Sequence, residues 1–379
     1  MRLETLDYKE FPNDAREWKL SGLCLGKVNL LVGKNASGKT RTLNVIQGLA
    51  GLLASETKLV FSSGDYDVTF DNDGKMLRYV LRYTDSKVHC EELAYDGKTV
   101  LSRGRNGVGK ILMEEKDELV AFQAPENELA AVVRRDNIQH KFLEPLNVWG
   151  KSVFHNSFGR QPQNEIALAP AKDQRRDTDK FGFGVIQTLE SGDTKYGARF
   201  RDAIKADMHR IGYDLNDIGL RPPETFRFPA APLGALVLLY VREKGLRCEV
   251  EQHQMSDGMF HALSLIIYFN YFELTRMPSC ILIDDIGEGL DHERCLCLIH
   301  LLMDKAERTS VQLVMTSNDR FVMNSVPLEA WSVLQRRGGR VRVLNYANSK
   351  QRFDEFKLTG LNNFDFFATD FVGAESRSE

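Results

Sequence analysis

The segment VNLLVGKNASGKTRTL, residues 28–43, constrains the fold of this chain more than any other part of its sequence. It contains GKNASGKT, which fits the pattern G-x-x-x-x-G-K-[ST]. Glycines in this pattern let successive backbone N–H groups turn toward phosphate oxygens. An apolar strand precedes the loop and a helical apolar period follows it, as the motif requires. The segment therefore predicts a phosphate-binding loop between a β-strand and an α-helix.

Two side chains of this loop have specific expected roles. Lys39 is expected to reach the β- and γ-phosphates of a nucleotide, and the Thr40 hydroxyl to bind Mg²⁺. The helix that begins near Lys39 adds the positive end of its dipole. The predicted phosphate-binding residues are Gly33, Lys34, Asn35, Ala36, Ser37, Gly38, Lys39 and Thr40.

A second group of chemically suited residues lies late in the chain. The stretch CILIDDIGEGLDHE is an apolar strand that ends in Asp284 and Asp285. Ligand chemistry in α/β sheets collects at the carboxyl ends of strands, so Asp284 is expected to hold Mg²⁺ and Asp285 to orient a water. Before this strand, Ser256-Asp257-Gly258 opens an apolar helix. That turn is either a ligand-binding feature or a plain helix cap.

The order of these segments resembles the ABC-class ATPases, within the soluble branch of SMC-type, DNA-repair and OLD-like proteins. The segments that carry the resemblance are GKNASGKT, SDGMF, DDIGEGLD and TSND. It implies an α/β P-loop head with a mixed sheet, helices and an antiparallel β subdomain, into which a mainly helical subdomain is inserted. It also implies that ATP and Mg²⁺ bind at the loop.

The resemblance further implies a homodimer that is built around ATP. Ser256, Asp257 and Gly258 would touch the γ-phosphate bound to a second copy, and Asp291 would lie at the interface between the copies. Gln123 is the candidate for the metal-binding glutamine of the family.

Two departures from the family pattern predict an ATPase that turns over slowly. Asp285 stands where the family has a catalytic Glu, and Ser317 where it has a switch His. A shorter carboxylate displaces the base by about an ångström, which is enough to slow chemistry greatly. Lys39, Asp284 and Asp285 are the expected catalytic residues. Glu288 is an alternative base, although a solvated position on the turn is favoured for it.

Changes of sequence pattern predict four segments. Residues 1–126 form an ATPase lobe with the phosphate loop and antiparallel hairpins, and residues 127–250 a helical insertion with short strands. Residues 251–345 form a second lobe that alternates helix and strand. Residues 346–379 are a Phe-rich tail, which either packs on the core or docks a partner.

Composition excludes several classes of protein. The 50 Lys and Arg residues nearly balance the 53 Asp and Glu residues, so the whole surface is not a polyanion-binding one. Six cysteines without paired CxxC motifs indicate reduced thiols. No apolar run approaches bilayer length, so we expect no membrane association and a cytoplasmic location.

These observations leave alternative functions open. The favoured one is an ATPase that regulates a separately encoded nuclease or toxin, in the anti-phage defence context that the resemblance suggests. A DNA-repair ATPase that binds DNA directly is possible but not favoured, and a nucleotide-dead scaffold is a third alternative. The basic stretch LQRRGGRVRVL, residues 334–344, is interpreted as a solvated hairpin rather than a nucleic-acid contact.

Overall fold

The computed structural model describes residues 1–59, 62–158, 167–168, 184–223, 236–369 and 371. These residues form two compact units. One comprises Met1–His155, Pro278–Asp284 and Gln312–Glu379, and the other comprises Asn156–Met277 and Asp285–Val311. We call them the sheet unit and the helical unit. Each unit combines parts of several predicted segments.

The strands follow one another along the chain as β1 (Arg2–Glu10), β2 (Trp18–Cys24), β3 (Val28–Val32), β4 (Ser63–Asn72), β5 (Lys75–Thr84), β6 (Lys87–Tyr95), β7 (Lys98–Arg103), β8 (Val108–Met113), β9 (Glu118–Gln123), β10 (Val153–Ser157), β11 (Ala167–Leu168), β12 (Leu215–Arg221), β13 (Leu236–Glu243), β14 (Val250–Glu251), β15 (Ser279–Asp284), β16 (Val311–Thr316), β17 (Trp331–Arg337) and β18 (Arg340–Asn345).

The α-helices are α1 (Lys39–Leu53), α2 (Ala130–Val133), α3 (Glu144–Lys151), α4 (Val185–Tyr196), α5 (Ala198–Arg210), α6 (Asp257–Thr275), α7 (His292–Arg308), α8 (Arg320–Ser325), α9 (Tyr346–Lys357) and α10 (Asn363–Ala368).

The sheet unit is built on a fourteen-stranded mixed sheet. Its order is β10-β15-β16-β3-β17-β18-β2-β1-β4-β5-β6-β7-β8-β9. Strand β3 is parallel to both of its neighbours, β16 and β17, whereas the run from β2 to β9 is antiparallel. The sheet thus combines a parallel part that bears the phosphate loop with an antiparallel subdomain, as the sequence predicts.

The hairpins of the antiparallel part follow from their turn residues. Asp73 and Gly74 join β4 to β5, and Asp96 and Gly97 join β6 to β7. All four residues have positive φ. Two successive residues of this kind form the tight turn whose twist matches antiparallel strands, and Asp-Gly is a preferred sequence for it. These turns belong to the antiparallel hairpins that the sequence predicts within residues 1–126.

Helix α1 packs its predicted apolar face into the core of the sheet unit. Leu43, Ile46 and Leu49 have no exposed surface, and Leu53 has 1%. The same cluster includes residues from strands β1 to β8. The phosphate loop is therefore anchored at both ends, by a buried strand and by a buried helix face.

The Phe-rich tail packs on the sheet unit. Phe353, Phe356 and Phe366 are 1% exposed or less, and the Phe366 ring lies 4.7 Å from that of Phe353 and 4.9 Å from that of Phe356. Between the two interpretations of the tail, this favours packing on the core. Residues 370 and 372–379 lie outside the described residues.

The helical unit is built around its helix α6, which has fourteen buried residues along its length. Helices α4, α5 and α7 contact it. A small antiparallel sheet of β11, β13 and β12, to which β14 also pairs, completes the described part of this unit. Among all described helices, none is long and apolar enough to cross a bilayer.

Candidate nucleotide site

The backbone between β3 and α1 has the geometry of an anion cradle. Ala36 and Gly38 adopt left-handed conformations, with φ values of 62° and 106°. A Cβ on Gly33 would lie 2.4 Å from the Ser37 Oγ and 3.0 Å from the Leu334 carbonyl oxygen, so only glycine fits there. The loop is curled so tightly because glycine occupies the positions that cannot hold a side chain.

The Lys39 ammonium lies folded over this loop. The side chain is 7% exposed, and its Nζ donates to the Gly33 carbonyl at 2.9 Å and to the Asn318 Oδ1 at 2.8 Å. Asn318 in turn donates through its Nδ2 to the Asn35 Oδ1 at 3.3 Å. A buried ammonium that bonds to amide oxygens is suited to exchange them for phosphate oxygens.

Asn318 was missed by sequence reasoning, which assigned the switch position to Ser317. The only signal was its place in TSND, directly after the β16 strand. The Ser317 Oγ instead accepts from the Asp319 N–H at 3.1 Å, and its side chain is buried. In this structure, the group after β16 that contacts Lys39 is therefore the Asn318 amide.

Asp284 lies at the end of β15, buried at 5% exposure. Its Oδ1 accepts a hydrogen bond from the Thr316 hydroxyl, at the end of β16, over 2.7 Å. This bond fixes the carboxylate between two neighbouring strands of the parallel part. Thr40, at the second position of α1, is exposed.

The residues present fit a nucleotide phosphate with a divalent cation. The Ser37 Oγ is buried and has no hydrogen-bond partner among the described residues, which leaves a polar atom inside the cradle for an anion. A hydroxyl and a carboxylate, from Thr40 and Asp284, are the oxygen ligands that Mg²⁺ accepts beside phosphates.

The Ser-Asp-Gly turn lies in the helical unit. Ser256 is the N-cap of α6, and its Oγ accepts from the Met259 N–H at 3.3 Å. A Cβ on Gly258 would lie 2.3 Å from the Gly289 carbonyl oxygen. The glycine of the turn is thus required by the close approach of the chain that follows Asp285.

Asp291 lies in the same unit and caps α7. It accepts from the Arg294 N–H at 3.0 Å and from the Arg294 guanidinium at 2.8 Å. The hydrogen bond from that N–H is the main cause that holds the pKa of Asp291 below its usual value, and the guanidinium adds to it. Ser256, Asp257 and Asp291 are all exposed, so their polar groups are accessible.

Asp285 occupies a strained backbone position. Its φ is 53°, and its carbonyl accepts from the Glu288 N–H at 3.2 Å. Among residues other than glycine, Asp and Asn tolerate the left-handed region best. The turn geometry therefore gives a local reason for Asp rather than Glu at this position.

Gln123 is not brought to the phosphate loop. It lies at the end of β9, the edge strand of the large sheet, ten strand positions from β3. It is exposed, and its Nε2 donates to the Asn106 carbonyl at 3.4 Å. At this distance from the phosphate loop, its expected role as a metal ligand does not hold. The prediction failed because an apolar strand that ends in Gln gives no information on sheet order.

No protein-family model matches the sequence, and no curated protein is similar to it. Among solved structures, an SMC head bound to the C-terminal winged-helix domain of ScpA matches with a TM-score of 0.52 and 14% identity, over 91% of this chain and 97% of that one. An SMC head with an extended coiled coil from Pyrococcus furiosus, bound to the C-terminal domain of ScpA, matches with a TM-score of 0.50 and 11% identity, over 94% and 99%.

The fold is that of an SMC head domain. At identities this low, the similarity establishes the fold, and it confirms the predicted ABC-type P-loop class with a mixed sheet and helices.

Proposed function

We propose that the chain is an ATP-binding ABC-class ATPase that dimerises head-to-tail around ATP and regulates a separate effector protein. The observation that carries the proposal is the cradle from Gly33 to Thr40, with the buried Lys39 ammonium folded over it. An SMC-head fold supports the same class of activity.

Within one copy, the backbone of residues 33–40 and the Lys39 ammonium would hold the phosphates, and Thr40 and Asp284 would hold Mg²⁺. The metal ion supplies charge neutralisation on the phosphate oxygens when it is bound. The Thr316 hydroxyl orients the Asp284 carboxylate through its 2.7 Å bond. Asp285 would accept a hydrogen bond from a water and orient it. Hydrolysis would be slow because the Asp carboxylate is shorter than the Glu of the family pattern.

The second copy would supply the exposed Ser256 and Asp257 of the α6 turn, together with Asp291. The Ser256 hydroxyl and the first N–H groups of α6 form a polar helix start, which suits an anion presented by a partner. Enclosure of the nucleotide by two copies would make dimerisation depend on ATP.

Light scattering with and without ATP and Mg²⁺ tests the dimer. The native chain is expected to double its mass with ATP, and Ser256→Arg to remain monomeric because a long cation blocks the approach. Asn362→Arg removes the N-cap of α10 and is the matched control, expected to dimerise. If Ser256→Arg dimerised at the same ATP concentration as the native chain, this arrangement would be refuted.

Phosphate release tests the chemistry. Turnover is expected below the roughly 1 s⁻¹ that marks the slow end of ordinary enzymes. Asp285→Asn is expected to lower it by at least about tenfold, whereas Glu288→Gln, on the same turn, leaves it unchanged. Equal and fast rates in all three proteins would remove Asp285 from the mechanism.

An effector in anti-phage defence, a nuclease or a toxin, is the partner that the sequence resemblance suggests. The two SMC heads described above are bound to ScpA domains, so heads of this fold do carry separate proteins. Native purification with mass spectrometry is expected to recover a nuclease or toxin in fixed proportion, and to lose it with Lys39→Ala. Purification of bare heads, with no nuclease or toxin bound, would contradict the effector proposal and favour the repair alternative.

A further inference from the structure

The sheet unit carries a groove that the nucleotide site does not use. It has a volume of about 1610 Å³ and is lined by β1, β2, β17, β18 and the first half of α9. Its lining includes seven Lys or Arg residues and two Glu residues, although acidic residues outnumber basic ones in the whole chain. Positive charge is therefore concentrated at this one concave surface.

The cations are aligned across four neighbouring strands. Arg337 of β17 pairs with Arg340 of β18, Arg340 with Lys19 of β2, and Lys19 with Lys9 of β1. Like charges directly opposite one another destabilise a sheet by a few tenths of a kcal/mol to about 1 kcal/mol. We call Arg337, Arg340, Lys19 and Lys9 the cation row.

Internal carboxylates neutralise this row only in part. Glu17 lies 3.3 Å from the Lys9 Nζ and 4.0 Å from the Arg340 Nε. Lys19, Arg337 and the neighbouring Arg342 are exposed and form no ion pair within the part of the chain that the structure describes. These three cations are available to an external anion.

From this alignment, we infer that the groove binds the phosphate backbone of double-stranded nucleic acid. The hairpin of residues 334–344, which the sequence alone favours as solvated, would then be a nucleic-acid contact. Strands are about 4.8 Å apart, so the row spans about 14 Å. Phosphates of one strand of B-form DNA follow one another about every 3.4 Å along the helix axis, so a row of this length that lies along the axis spans about four such steps. The row matches a short run of backbone charge.

The lining argues against an acidic protein segment. Its aliphatic residues, Val341, Val343 and Leu344, are all less than 5% exposed and provide no apolar anchor. Protein interfaces depend on such anchors, whereas nucleic-acid interfaces are polar and basic. The lining also contains no aromatic residue on which an unpaired base could stack, which favours a duplex over a single strand.

Fluorescence anisotropy of the full chain with a labelled 20-base-pair duplex, at about 0.1 M salt, tests the site. The triple variant Arg337→Gln, Arg340→Gln and Arg342→Gln is expected to weaken binding at least about tenfold, and to reduce the slope of log affinity against log salt by about 3. The charge-retaining Lys triple at the same positions is expected to stay within about threefold.

The control removes three exposed lysines elsewhere on the sheet unit, Lys75, Lys110 and Lys116, by substitution with Gln. It changes the net charge equally and is expected to leave duplex binding within about twofold. No duplex binding by the native chain, equal losses in both Gln triples, or tighter binding of poly-glutamate or of a single-stranded 20-mer would each overturn the inference. Lys39→Ala should keep duplex binding. The proposal for the groove and the proposal for the ATP site can therefore be refuted independently of each other.

Discussion

The phosphate loop and the basic groove both present positive charge to anions, but they are built in opposite ways. In the loop, one buried ammonium and a curled backbone come from eight consecutive residues, 33–40. In the groove, exposed side chains from four strands face solvent. The first arrangement would suit a small anion that fits the curled backbone, and the second would suit the extended phosphate backbone of a duplex.

The two regions lie on opposite faces of the same strands. A Cβ on Gly38 would lie 3.3 Å from the Trp18 ring and 3.5 Å from a Val341 methyl group, so the loop packs on their face. Side chains alternate along a strand, which places Lys19 and Arg340 on the other face. The sheet therefore separates two anion sites that can be tested independently.

The largest expected difference between the regions comes from Lys39→Ala. ATP affinity is expected to fall at least about 100-fold, because contacts from a charged donor contribute about 1.5–3 kcal/mol each and the ammonium reaches more than one oxygen. Calorimetric titration with ATP and Mg²⁺ measures the loss.

Lys34→Ala is the control for this change. Lys34 is an exposed lysine of the same loop, whose expected contribution is its backbone N–H. Its ATP affinity should remain within about threefold of the native value. An equal loss in both variants would mean that general positive charge, and not the folded ammonium, holds the phosphates.

The dependence of affinity on salt concentration is the second difference expected between the groove and the phosphate loop. Between 50 and 200 mM salt, duplex affinity is expected to fall about 40-fold if the groove makes about three phosphate contacts. ATP affinity, measured at constant free Mg²⁺, should fall less than about fivefold, because the Lys39 ammonium is buried and its contacts are screened less. Parallel titrations at four salt concentrations measure both slopes, and equal slopes would erase the contrast.

The loop was predictable from sequence because its parts are contiguous. The pattern from Gly33 to Thr40 specifies backbone geometry within eight residues, and the flanking strand and helix follow from their apolar periods. The Asp284 strand was found in the same way, as a local run that ends in a carboxylate. Local patterns of this kind determine local structure.

The groove and the Lys39 partner could not be found in this way, because strand order and register create them. Lys9, Lys19 and Arg340 are adjacent only through pairing across β1, β2 and β18. Asn318 reaches Lys39 because β16 lies beside β3. Gln123 failed for the same reason, since its pattern did not reveal that β9 is an edge strand.

A smaller effect is expected from Asn318→Ala, which removes one acceptor of the Lys39 ammonium. Without nucleotide, Tm should fall by about 2 °C, which corresponds to a charge-assisted hydrogen bond of about 1.5 kcal/mol. Saturating ATP should restore most of this loss, since phosphate oxygens replace the amide. In Asn324→Ala, which loses a bond from the Phe364 N–H, ATP should not restore stability. Rescue of both variants would assign the effect to general ligand stabilisation.

The smallest predicted effect concerns the cost of the cation row itself. Arg340 has two cations directly opposite it, Arg337 and Lys19, and its ion-pair partner among the described residues is a single carboxylate, Glu17, at 4.0 Å. Arg340→Gln should therefore raise Tm by about 1 °C in 20 mM salt, and the gain should vanish in 0.5 M salt as repulsion is screened. Arg82→Gln is the opposite case, because Arg82 faces Asp65 on β4 at 3.1 Å, and it should lower Tm. If both substitutions lowered Tm equally, the row would carry no repulsion, and the argument that it is maintained for an external anion would lose its energetic basis.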